Sequence, residues 1–140
     1  MSERTVDVLC VDDNEMMAEA LKRWLSRDPS LRWVGWLPSA EGLEEAVEQL
    51  DPQVVLMDVD MPGPSPFTVI PELAKKAPNT LVLMLSGFLR KEYVVGALEA
   101  GAMGYISKER SPQEIAEAIH RVANGEMVLC NGAAALAAME

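Results

Sequence analysis

The sequence predicts an open parallel β-sheet with helices on both faces, a doubly wound α/β fold of five β–α units. Three observations carry this. Short apolar runs alternate five times with segments of helical periodicity. The run "VVLM" at 54–57 is continuously apolar, as in a strand buried on both faces. No repeat, charge run or low-complexity linker breaks the alternation.

In chain order, the strands are expected at "TVDVLCV" (5–11), "LRWVGWL" (31–37), "VVLMD" (54–58), "TLVLMLS" (80–86) and "MGYIS" (103–107). Met17, Ala20, Leu21, Trp24 and Leu25 share one face of a first helix, and Leu43, Ala46, Val47 and Leu50 one face of a second. The third helix, 67–77, is the weakest. Pro64, Pro66 and Pro71 crowd its start, and a proline is tolerated only near a helix beginning, so a late or irregular start is expected. Val94, Val95 and Leu98 mark a fourth helix that Gly101 closes. The fifth has the clearest signal: Ser111 as N-cap, Pro112 at the first helical position and Glu114 as the capping-box partner. Ile115, Ile119 and Val122 form its buried stripe. The Ala-rich stretch 127–140 falls outside the pattern and reads as a tail or linker.

One domain is expected for 140 residues. A net charge of −10 works against phosphate-backbone binding, so this chain alone should not hold nucleic acid. Cys10 and Cys130 form no CxxC pair or Cys/His cluster and read as reduced thiols. Residues 1–5 lack the regions of a signal peptide, and no apolar run approaches the roughly 20 residues of a membrane span, so a cytoplasmic protein without membrane contact is expected. Trp24, Trp33 and Trp36 read as packing residues and His120, the sole histidine, as a solvent-facing helix residue.

The chemistry gathers where strands end. The first strand runs into "VDDN", so Asp12 and Asp13 reach the same carboxyl edge as Asp58 if the first and third strands are neighbours. Like charges about 4 Å apart repel by roughly 4 kcal/mol at an effective dielectric of 20. Such a cluster needs a cation or raised pKa values, and oxygen ligands at an open, hydrated site favour Mg²⁺. The fourth strand ends in Ser86 and the fifth in Ser107 and Lys108. Acids, a hydroxyl and one ammonium suit a carboxylate that accepts a phosphoryl group.

These residues resemble the receiver domain of two-component response regulators. The match covers residues 4–126 and rests on "DD" (12–13), "MDVDMP" (57–62), "LSG" (85–87) and "GAMGYISK" (101–108). It is most similar to regulators that carry a C-terminal LuxR-type helix-turn-helix, the NarL/FixJ-like group. The resemblance implies a flavodoxin-like (βα)₅ fold, with phosphorylation of Asp58 by a histidine kinase. It implies Mg²⁺ bound by Asp13 and Asp58, by Asp12 through water, and by the backbone carbonyl of Asp60. Ser86 and Lys108 contact the phosphoryl group in that picture, and Tyr105 is the switch aromatic that turns inward when Ser86 moves. The output surface is the fourth helix (about 90–100), fifth strand and fifth helix (about 112–124), which also serves a possible homodimer. Asp60 and Phe88, each two residues beyond a site residue, are expected to tune the lifetime of the phosphoryl group.

Two departures stand out. "PSPFTVIPEL" replaces the family's usual run to a glycine that opens the third helix. The 14 residues after Glu126 are too few for a helix-turn-helix, so a stand-alone receiver or part of a longer regulator is expected. Two rival readings are a phosphatase of the haloacid-dehalogenase type, whose "DxD" motif normally ends the first strand, and a pseudo-receiver that is not phosphorylated.

Overall fold

The computed structural model describes residues 5–87, 89–129 and 132–134. Its strands are β1 (Val6–Val11), β2 (Leu31–Leu37), β3 (Val54–Met57), β4 (Leu81–Ser86), β5 (Gly104–Ser107) and β6 (Val128–Leu129). Its helices are α1 (Glu15–Leu25), α2 (Leu43–Leu50), α3 (Pro66–Lys76), α4 (Lys91–Ala100) and α5 (Pro112–Ala123). The strands pair in the order β2-β1-β3-β4-β5-β6, all parallel. Every residue of β3 is buried, as a central strand covered on both faces must be. On one face α1 packs against α5; on the other α3 packs against α4, and Lys76 of α3 pairs with Glu44 of α2 at 2.8 Å.

The five expected strands and five helices form, and the sheet gains a sixth strand from the stretch read as a tail. Two residues are too short to show a period, which is why β6 was not visible in the sequence. Gly104 permits it. A methyl group there would lie 2.7 Å from the Val128 carbonyl oxygen, so only a glycine lets β6 approach β5.

Helix α3 also differs from its expectation. It starts promptly, with the Ser65 hydroxyl accepting from Phe67 N–H and Pro66 in the first turn, while Pro71 lies inside the helix. The fixed φ of Pro66 suits a first turn, and that start offsets what Pro71 costs by lacking the N–H that the Phe67 carbonyl needs. The buried side chains Ile70 and Leu73 anchor the segment to the sheet across the proline.

Helix α5 begins as expected, with both halves of the capping box formed between Ser111 and Glu114. Two side chains differ from their reading. Trp24 is 36% exposed rather than packed. His120 is not solvent-facing: its Nε2 lies 3.1 Å from Asp28 Oδ2 and 3.0 Å from Ser30 Oγ, tying α5 to the loop after α1. The Ser30 hydroxyl donates to Asp28 Oδ1, so its single proton is committed and Nε2 is the donor to both neighbours. That hydroxyl bond leads in holding the Asp28 carboxyl below its usual range.

Candidate functional site

Strand order reverses at β1: the chain leaves it for β2 on one side and returns to β3 on the other. A crevice opens at such a point, beyond the carboxyl ends of the strands. Register decides which residues stand there. Val11 pairs with Met57, so Asp12 and Asp58 are the next residues on neighbouring strands. Their backbones continue the ladder, with Asp58 N–H donating to the Val11 carbonyl at 2.9 Å and Asp12 N–H to the Leu37 carbonyl at 3.0 Å. Ser86 pairs with Ser107, and Lys108 follows, its N–H donating to the Ser86 carbonyl at 2.8 Å.

Carboxylate oxygens of Asp12, Asp13 and Asp58 all lie within 4.8 Å of one another. Asp12 and Asp58 are 2% and 6% exposed, whereas Asp13 stands in solvent at the rim. The Lys108 ammonium reaches both buried acids, at 2.8 Å from Asp12 Oδ2 and 3.4 Å from Asp58 Oδ2. Burial pushes the Asp58 carboxyl above its usual value and the Asp12 charge adds to this, against the pull of Lys108. Burial works to lower the Lys108 ammonium, but its hydrogen bond to Asp12 and the two carboxylate charges outweigh it and hold the group above its usual value.

Local structure fixes each side chain. Asp12 Oδ1 accepts from Asn14 N–H at 2.9 Å, and the Asn14 side chain caps α1 by accepting from Met17 N–H. The Trp36 indole N–H donates to the Asp12 carbonyl at 2.7 Å, which steadies the turn where β1 ends. Sequence reasoning assigned Trp36 to packing and gave Asn14 no role. The Asn14 signal was present, since an Asn before an apolar-periodic segment is an N-cap pattern. Trp36 gave no signal, because its partner is a backbone carbonyl. The Asp60 N–H points toward Asp58 Oδ1 at 3.5 Å, and its side chain is exposed. Ser86 is fully buried at the end of β4.

Tyr105, on β5, lies one strand away from Ser86. Its ring is fully enclosed in the core, among the largest buried side chains. That is the inward position which the resemblance ties to switching. A ring of this size contributes most to stability when enclosed. Phe88 and Cys130 lie outside the described residues. Cys10 is buried beside the site, its thiol pushed up to about 12 chiefly by burial and then by the Asp12 charge, which rules it out as a nucleophile at neutral pH.

The family model for the response regulator receiver domain matches residues 8–120. The chain belongs to that family. Receiver domains are signalling domains rather than conventional enzymes, which sets aside the phosphatase reading as a family assignment. Among curated relatives, the nitrate/nitrite response regulator protein NarL of Escherichia coli K12 is 33% identical over 128 residues, 91% of this chain and 59% of that protein. The transcriptional regulatory protein DegU of Brevibacillus brevis is 32% identical over 125 residues, 89% of this chain and 53% of that one. The chain thus spans little more than half the length of these relatives. The signal receiver domain of the response regulator NarL from Mycobacterium tuberculosis has the same fold, with a TM-score of 0.83 at 29% identity over 89% of this chain and all of that one. A LuxR-family response regulator from Aurantimonas sp. SI85-9A1 superposes with a TM-score of 0.87 at 24% identity, covering 94% of each chain. No helix among the described residues is long and apolar enough to cross a membrane.

Proposed function

We propose that the chain is a phosphorylation-dependent switch in which Asp58 accepts a phosphoryl group from the phosphohistidine of a sensor kinase. The observation that carries this reading is Lys108, a single ammonium within reach of both Asp12 and Asp58 where three carboxylates converge. An Asp58 oxygen attacks phosphorus, the O–P bond forms as the P–N bond breaks, and the bonding pair returns to the kinase imidazole. Lys108 then pairs with the phosphoryl oxygens and the Ser86 hydroxyl donates to one of them, sharing charge that develops during transfer and stays afterwards.

Hard oxygen donors at a half-open rim fit Mg²⁺, held by Asp13 and Asp58, by Asp12 through water, and by the Asp60 backbone carbonyl. Once bound, the ion offsets the negative charge of the cluster and of the incoming group. Lys108 opposes the burial that disfavours the Asp58 charge, and the surrounding residues hold Asp58 within reach of the donor and exclude water from its buried side. Asp60 and Phe88 tune how long the product survives, and the domain assists its own dephosphorylation. The switch passes from Ser86 through the enclosed Tyr105 to α4, β5 and α5, the face that also supports a homodimer. The protein works in the cytoplasm as the receiver unit of a transcription regulator.

The metal assignment is tested with Trp36, whose indole N–H is bonded to the Asp12 carbonyl. In a Trp24→Phe, Trp33→Phe background, added Mg²⁺ is expected to change Trp36 emission saturably. Asp13→Asn should weaken the response by about tenfold or more, since loss of even an outer-shell partner of a metal ligand costs about 10–100-fold in affinity. Unchanged affinity in Asp13→Asn removes Asp13 from the metal site.

A further inference from the structure

We propose that Trp36 is a positioning residue for the metal end of the site: its indole N–H fixes the Asp12 carbonyl and thereby the place of the Asp13 carboxylate. The inference rests on the phosphoacceptor reading with its metal assignment, and it adds a residue from β2, a strand that reading does not use. Three observations carry it. First, both main-chain polar groups of Asp12 are held by consecutive residues of β2. Its N–H donates to the Leu37 carbonyl at 3.0 Å, and its carbonyl accepts from the Trp36 indole N–H at 2.7 Å. Second, the Asp12 carbonyl belongs to the same peptide unit as the Asp13 N–H. That unit is planar and trans, so an indole that holds the oxygen sets the orientation of the whole plane and the direction in which Asp13 departs from it. Third, the Asp12 side chain has anchors of its own in Asn14 N–H and Lys108, whereas Asp13 stands exposed at the rim. The backbone is therefore what places Asp13.

The strand is shaped to deliver this bond. Along β1 and β2 the register pairs Val8 with Trp33 and then Leu9 with Gly35, so Val34 is an extra residue on β2. A bulge of this kind re-aims the side chains beyond it, because a shift of one residue turns a strand's side chains to the opposite face. With the bulge, Trp36 pairs with Cys10; without the extra residue it would stand opposite Val11. Gly35 lets the bulge pack closely, since a methyl group there would lie 3.3 Å from both Leu9 Cδ1 and Leu50 Cδ1. The stretch "WVGW" at 33–36 thus holds the bulge, its glycine and the donor together. Oxygens of Asp13 and its two neighbours lie within 4.8 Å of one another, and a looser Asp12–Asp13 peptide would let that convergence spread.

The test removes the N–H and little else. In a Trp24→Phe, Trp33→Phe background, the remaining tryptophan is replaced biosynthetically by its benzothienyl analogue, in which sulfur stands where the indole N–H was and the ring keeps its size. Mg²⁺ affinity is read from the Asp13 and Asp58 amide resonances during titration, and stability from thermal melting. With the N–H present, the indole proton is expected to be protected from exchange with solvent. Its loss should weaken Mg²⁺ binding about tenfold, the low end for removing a group that orients a metal ligand. Trp36→Phe, which also lacks the donor, should show the same loss, and an azaindole analogue, which keeps the N–H, should restore the affinity. A purely structural role would lower the melting temperature of the benzothienyl form and leave Mg²⁺ affinity unchanged. That result, or an indole proton that exchanges as fast as in free tryptophan, overturns the inference while the metal assignment stands. If neither Asp13 nor Asp58 shifts with Mg²⁺ even when the N–H is in place, the metal assignment fails and the inference falls with it.

Discussion

Asp58 holds a charge that its surroundings resist, and that resistance is measurable. Burial, helped by the Asp12 carboxylate, holds its pKa above the ordinary 3.8 in the folded chain. An acid with a raised folded pKa costs stability once the pH passes its unfolded value, and costs nothing below both values. In Mg²⁺-free buffer at pH 7, Asp58→Asn is therefore expected to melt higher than wild type. Near pH 3 the difference should vanish. A variant that melts lower at pH 7 would show that the Lys108 contact outweighs the burial. At this scale the sequence disclosed the carboxylates, Ser86 and Lys108, because strand ends can be located from apolar runs and the same edge collects them. It did not disclose the supports of Asp12, since the bond from Trp36 ends on a carbonyl and joins residues 24 positions apart. Nor did it disclose the full enclosure of Tyr105, which depends on tertiary packing.

Among the elements, α5 shows how a locally clear helix acquires a role that only packing reveals. Its start was legible from Ser111, Pro112 and Glu114, because a capping box is written in four consecutive residues. Its tie to the loop after α1 was not, because Asp28 and His120 are 92 positions apart. His120→Ala is expected to lower stability by about 0.5–1.5 kcal/mol, the ordinary worth of such hydrogen bonds, without changing phosphoryl uptake at Asp58. Chemical denaturation beside a phosphorylation assay separates the two, and a change in uptake would connect the α1–α5 face to the site. Helix α3 teaches the converse. Its three prolines predicted irregularity, yet Ser65 and Pro66 form a regular start and two buried side chains carry the helix past Pro71. Local propensity lost there to tertiary packing.

For the molecule as a whole, the alternating pattern implied the sheet and its carboxyl edge, and the reversal of strand order at β1 places Asp12 and Asp58 side by side. The sixth strand was hidden because two residues carry no period and their pairing depends on Gly104. The account's central claim is that this edge takes up and keeps a phosphoryl group on Asp58. The most direct measurement is intact-protein and peptide mass spectrometry after incubation with Mg²⁺ and acetyl phosphate. The account predicts one phosphoryl group per chain, labile to hydroxylamine, mapped to the peptide containing Asp58, dependent on Mg²⁺ and absent from Asp58→Asn. Uptake by Asp58→Asn at the wild-type rate and position, or continuous turnover of a phosphomonoester with no retained phosphoryl group, would contradict it.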